Sequence, residues 1–253
     1  MSKMAVEVNV WQGAELSKRY LEGVRGAIPL AAEQIEVMLR VIQAGRPQLG
    51  RFLDLGCGDG ILGRAIVARY PEARGIFLDF SEPMLQAAQE RCAASGKPGR
   101  LEFILKDYGQ PDWVEAIQHT APFDVVVSGF SIHHQPDAKK QELYQEIYHL
   151  LTPGGFFLNL EHVSSSTPWL EKVADEMFID SLYQFHQENG SHKPREIIAQ
   201  EFYNRPDKAA NILAPVELQC DWLRQLGFIH VDCYLKVFEL ALFGGMRPPI
   251  SPA

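Results

Sequence analysis

The chain has 253 residues, 46% hydrophobic and 22% charged, with a net charge of −8, which suits one large core carrying decorations. No apolar run approaches a bilayer span, and residues 1–11 lack the basic start and apolar stretch of a secretory leader, so a soluble, cytoplasmic protein with no membrane contact is expected. The acidic balance disfavours a nucleic-acid partner, and Cys57, Cys92, Cys220 and Cys233 form no C-x-x-C pair, as expected of reduced thiols holding neither disulfide nor zinc.

Residues 1–49 read as an N-terminal helical cap, ahead of a core over 50–162. From Arg51 short apolar runs alternate with amphipathic stretches, the signature of a parallel sheet wrapped by helices. Strands are predicted near 51–55, 74–79, 101–106, 123–129 and 155–160, with helices near 61–70, 82–94, 111–119 and 138–151. In the last helix Leu143, Ile147 and Leu150 share a face, Lys139, Lys140, Gln141 and Glu146 fall largely off it, and Asp137 is placed to cap it. Thr152-Pro-Gly-Gly155 then turns the chain into the next strand.

The alternation stops after Glu161. An insertion over 163–214 carries two predicted helices, 168–188 and 194–203, the first with Leu170, Val173, Met177, Leu182 and Phe185 along an apolar stripe. It is read either as a lid or as a homodimer surface. A helix near 215–226 and strands near 228–234 and 236–243 complete the core over 215–245. The two strands are too close for a parallel crossover and must pair antiparallel. The tail, 246–253, has no pattern and reads as loose.

The most informative segment is Arg51-Phe-Leu-Asp-Leu-Gly-Cys-Gly-Asp-Gly60, an apolar strand running into a turn with glycine at alternate positions. Glycine admits positive φ and a close approach of ligand to backbone amides. A dinucleotide fingerprint would need a sixth-position glycine where Ile61 stands, which disfavours a nicotinamide oxidoreductase. The segment resembles motif I of the class I S-adenosylmethionine (SAM) dependent methyltransferases, with Asp54 as the strand-end acid. The resemblance extends over about Arg51 to Leu242.

That resemblance implies an α/β fold, a doubly wound, Rossmann-like sheet of seven strands with an antiparallel last strand, and SAM as cofactor with S-adenosylhomocysteine as product. It implies a cofactor bed from Asp54, Gly56, Cys57 and Gly58, with Asp79 taking the ribose hydroxyls and Asp107 and Tyr108 at the adenine. Phe80 and Met84 are candidate apolar walls. Ser128 is expected to face methionine and His133 to lie near the transferred carbon. The segment around Tyr20 and Arg25 resembles the cap of small-molecule methyltransferases, including relatives of carboxy-SAM synthases; Tyr20 would stack on the sulfonium and Arg25 would meet the methionine carboxylate.

The implied reaction is displacement at the sulfonium methyl by a small-molecule acceptor, with His133, Glu161 and His162 as candidate bases. The paired histidines also raise a metal site, which is set aside because adjacent histidines usually point apart. Tyr203, Arg205 and Asn211 form a donor set for a polar substrate. Two further readings keep the same fold: a carboxy-SAM or tRNA-modification type of enzyme, and a non-catalytic SAM-binding module.

Overall fold

The computed structural model describes residues 24–93, 100–205, 208 and 210–250. Its centre is a seven-stranded sheet in the order β3-β2-β1-β4-β5-β7-β6. The strands are β1 (Arg51–Leu55), β2 (Arg74–Asp79), β3 (Leu101–Leu105), β4 (Phe123–Gly129), β5 (Leu151–His162), β6 (Ile229–Val237) and β7 (Leu240–Met246). β1 to β5 run parallel, whereas β7 is antiparallel to both β5 and β6. The strand order reverses between β1 and β4, so their carboxyl ends diverge into a crevice, the usual ligand position in open α/β sheets.

The helices are α1 (Ala31–Gly45), α2 (Ile61–Arg69), α3 (Glu82–Ala93), α4 (Trp113–Ile117), α5 (Asp137–Leu150), α6 (Pro168–Glu188), α7 (Arg195–Tyr203) and α8 (Val216–Gln225). Buried strands alternate their apolar residues between two cores, because successive side chains point to opposite faces. Phe52, Phe77, Val125, Val127 and Leu158 pack with Met38, Ile42, Ile66 and Ala88 on one face. Leu53, Ile76, Val126 and Phe157 pack with Trp113, Tyr144, Ile147 and Leu223 on the other. Among the described residues no helix is long and apolar enough to cross a membrane.

Several details depart from the sequence reading. β5 begins at Leu151, directly opposite Phe123, and the Thr152–Gly155 stretch is an irregularity of pairing inside the strand. Pro136, not Asp137, occupies the capping position of α5, and Asp137 instead receives Lys140 Nζ at 2.7 Å. Lys140 is fully buried, because its ammonium group also donates to Ile212 O. The start of the tail is fastened: Gly154 N donates to Arg247 O, Arg247 N donates to Gly155 O (both 2.8 Å), and Arg247 Nη1 donates to Leu151 O.

The insertion folds on itself and onto the N-terminal segment. Phe178 of α6 stacks on Phe202 of α7 at 5.5 Å, and Arg195 bridges to Glu176 and Asp180. The stripe residues Leu170, Val173, Met177, Leu182 and Phe185 are half-buried, while Ala174 and Ile179 are the buried positions of α6. Ser181 Oγ donates to Ala27 O at 2.7 Å, and the Phe185 ring lies where a Cβ on Gly26 would stand. α6 thereby grips the 3-10 turn Val24–Ala27 that leads into α1.

Candidate active site

The turn after β1 is built from backbone. Gly56, Gly58 and Gly60 have φ of +63°, +53° and +75°, values that L side chains resist. At Gly56 a Cβ would also fall 2.0 Å from Ser131 Oγ, so the turn after β4 presses directly on it. Gly63 N donates to Asp54 Oδ2 at 2.8 Å, which fastens the first turn of α2 to the end of β1. Behind the loop, buried Asp59 pairs with Arg91 and, at 3.6 Å, with Arg64.

Asp79 ends β2 beside this turn. Its Oδ2 accepts Gly58 N at 2.7 Å and its Oδ1 accepts Ser81 N at 2.8 Å. Burial outweighs these bonds and raises its pKa to about 6. Two cavities flank Gly56, Gly129 and Phe130, which line both. The larger, about 480 Å3, includes Gly58, Asp79, Phe80, Met84, Ser131 and His134. The other, about 420 Å3, includes Gln34, Asp54, Cys57, Leu62 and Leu160. Burial raises the Cys57 thiol well above its ordinary pKa, making it an inert wall.

Four sequence-derived cofactor residues sit elsewhere. Ser128 is fully buried and donates to Leu55 O at 2.8 Å, tying β4 to β1 and facing neither cavity. Tyr108 is buried beneath the turn with its hydroxyl bonded to Ser131 Oγ at 2.7 Å, and burial pushes that hydroxyl far above the ordinary phenol range. Asp107 closes its own turn, accepting Gly109 N at 2.7 Å and Gln110 Nε2 at 3.1 Å. His133 yields the cavity wall to His134. Tyr20 and the Arg25 side chain lie outside the described residues.

The histidine segment is a layered polar cluster. Glu161, buried at the end of β5, accepts His133 N at 3.0 Å, His162 N at 2.9 Å and Asn159 Nδ2 at 3.5 Å. A carboxyl group so surrounded by donors acts as acceptor toward His133 Nδ1 as well, at 2.5 Å, which puts the proton of that ring on Nδ1. The rings of His133 and His134 do not point apart; their centroids are 3.9 Å from each other. His134 Nδ1 donates to Ala210 O at 3.2 Å, and burial, then the neighbouring His133, lowers the His134 pKa to about 3.

His162 pairs instead with Glu239 at 3.0 Å, its ring edge-on to His133 at 5.6 Å. Burial opposes ionisation of Glu239, but bonds from His162 and Ser165 outweigh it and hold the carboxyl below its ordinary pKa. The proposed substrate donors divide. Tyr203 reaches Glu176 at 3.4 Å, and Arg205 lies over the Phe202 ring at 4.1 Å, both within the insertion's own packing. Asn211 stands between Ala210, which meets His134, and Ile212, whose N–H donates to His133 O at 2.9 Å.

Residues 52–155, from β1 into β5, match the model of a methyltransferase domain. A demethylmenaquinone methyltransferase from Leptospira interrogans is 34% identical to this chain over 127 residues, 50% of the chain and 48% of that protein. The chain thus spans about half the length of that curated relative. A carboxy-S-adenosyl-L-methionine synthase from Desulfotalea psychrophila is 22% identical over 226 residues, 88% of the chain and 85% of that protein. An O-methyltransferase family protein from Burkholderia thailandensis shares the fold with a TM-score of 0.58 at 18% identity, covering 85% of this chain and 58% of that chain.

Gln34, Phe130, Ser131 and Glu239 were not singled out from the sequence, and His134 entered only as one of the paired histidines. Phe130 combines positive φ (+50°) with a bond from its N–H to Leu160 O at 2.7 Å, a strained exit from β4 at the meeting point of both cavities. The only sequence signal for that exit is Ser-Gly-Phe-Ser at the end of an apolar run.

Proposed function

We propose that the protein transfers the methyl group of SAM to a small-molecule acceptor. The observation that carries this reading is the positive-φ glycine turn, open at Gly58 to a cavity that Asp79 also lines. A Cβ at Gly58 would meet nothing nearer than Met84 Cε at 3.6 Å, so ligand can approach the backbone there. The Asp79 carboxylate suits a vicinal diol, because its two oxygens match two hydroxyl donors. Phe80 and Met84 would bound the nucleoside, and Asp54 and Gln34 would face the amino-acid end.

When bound, SAM supplies an electrophilic methyl group. The chain's own part is to hold the acceptor, exclude water and receive a proton if the acceptor carries one. The Glu161 bond leaves His133 Nε2 as that ring's basic nitrogen. His134, neutral over the working pH range, would accept a hydrogen bond from the acceptor and orient it. His162 is held by Glu239 and is assigned a supporting role. The insertion, gripping the N-terminal turn, is read as the lid.

Titration calorimetry with S-adenosylhomocysteine is expected to give micromolar binding, and NADH none; binding of NADH alone would overturn the assignment. A second reading, carboxy-SAM chemistry, is favoured by the similarity to the Desulfotalea psychrophila synthase over most of both chains. Copurified ligand with the mass of a carboxylated SAM would decide for it.

Asp79 also predicts a pH dependence. Its pKa is raised in the fold, so its contribution to stability is complete below the unfolded value near 4 and is lost as pH rises through about 6. Binding has the opposite sign, because a diol donates to the ionised form. S-adenosylhomocysteine affinity should fall progressively below pH 6 in wild type, and this limb should be missing from Asp79→Asn. An unchanged affinity between pH 7 and pH 5 would exclude Asp79 as the diol acceptor.

A further inference from the structure

Gln34 is fully buried on the first turn of α1. Its Nε2 donates to Pro29 O at 2.7 Å, and its backbone N donates to Leu30 O at 2.9 Å. Leu30 is left-handed (φ 56°, ψ 32°), a conformation unfavourable for leucine, and this bend brings the Pro29 carbonyl over the side-chain amide. The amide orientation is therefore fixed: reversing it would set Oε1 against Pro29 O. Oε1 is buried, has no hydrogen-bond partner among the described residues, and belongs to a residue lining the 420 Å3 cavity.

A buried carbonyl oxygen without a donor is unfavourable unless a ligand brings one. The same cavity is lined by Asp54, so two acceptor groups stand among mostly apolar walls, an arrangement that selects a cationic donor over an anion. The cavity adjoins the one holding Asp79 across Gly56, Gly129 and Phe130, as two ends of a single ligand would require.

We propose that Gln34 Oε1 accepts a hydrogen bond from the α-ammonium group of the methionine portion of SAM. The inference rests on the SAM reading above and adds a recognition residue from outside the glycine turn. It makes the Pro29–Leu30 bend and α1 part of the cofactor site.

The test is calorimetric and needs no acceptor. Wild type, Gln34→Leu and Gln34→Glu are titrated with S-adenosylhomocysteine, with its analogue carrying hydrogen in place of the α-ammonium group, and with 5′-methylthioadenosine. Wild type should prefer S-adenosylhomocysteine to the deaminated analogue by about 10- to 100-fold. Gln34→Leu should lose that preference while binding 5′-methylthioadenosine like wild type, which also shows the nucleoside site intact. Gln34→Glu, which keeps an acceptor, should retain the preference.

If Gln34→Leu keeps the wild-type preference, the assignment is overturned. It is overturned equally if the variant loses 5′-methylthioadenosine in the same proportion, since Gln34 would then be structural. A wild type that binds none of the three ligands would instead remove the cofactor reading, and this inference with it.

Discussion

Glu161→Gln is expected to lower turnover on the true acceptor by about 10²- to 10⁴-fold. The carboxyl group takes four donors, from His133 N, His133 Nδ1, His162 N and Asn159 Nδ2. A primary amide offers one oxygen and two N–H groups in the same volume. With its oxygen kept toward His133 N and Asn159 Nδ2, its NH2 stands against His133 Nδ1 and His162 N, so His162 N loses its acceptor and the His133 ring moves its own proton from Nδ1 to Nε2. The basic nitrogen of the ring is lost although the ring stays in place. S-adenosylhomocysteine affinity, read by calorimetry, should be nearly unchanged, because Glu161 lines neither cavity. Turnover equal to wild type would exclude His133 as the proton acceptor.

Gly56→Ala is expected to destabilise the fold by about 3 kcal/mol and to abolish measurable cofactor binding, whereas Gly58→Ala should cost about 1 kcal/mol. The two positions have similar φ, so the backbone strain is common to both. The difference lies in what a methyl group meets. At Gly56 it displaces Ser131 Oγ, which breaks the bond to the buried Tyr108 hydroxyl and costs that group this hydrogen-bond partner. At Gly58 it meets only ordinary contact with Met84. Urea denaturation at constant slope separates the two, and equal costs would mean that Ser131 yields without loss.

The fold was legible because each of its signals is local. Strands buried on both faces read as apolar runs, α5 shows its period in Leu143, Ile147 and Leu150, and the short β6–β7 connection admits only antiparallel pairing. The acids and histidines at strand ends could be listed from sequence as well, since the carboxyl edge of a parallel sheet gathers them. Which of them face the crevice was not legible. Ser128 and Gly129 are neighbours on β4, yet one is locked to Leu55 O and the other lines both cavities. His134 lines the cavity that His133 was expected to line, because Glu161, 28 residues onward, draws His133 inward. Gln34 gave no signal, because nothing in an amphipathic helix distinguishes a buried amide that packs from one that waits for a donor. Lys140 was placed largely off the apolar face of α5, and the carbonyl that its buried ammonium group meets belongs to Ile212, 72 residues away.

The stretch from Ala210 to Ala214 is joined to the core at each alternate residue. Ala210 O receives His134, Ile212 bonds through both its N–H and its carbonyl, and Ala214 O receives Ser164 N at 3.2 Å. For anyone exchanging acceptor specificity by grafting, this sets the splice points. A transplanted insertion should enter after Ser164 and leave before Ala210, because a donor sequence that replaced 210–214 would disturb the carbonyls that set the tautomer of His134 and accept the ammonium of Lys140.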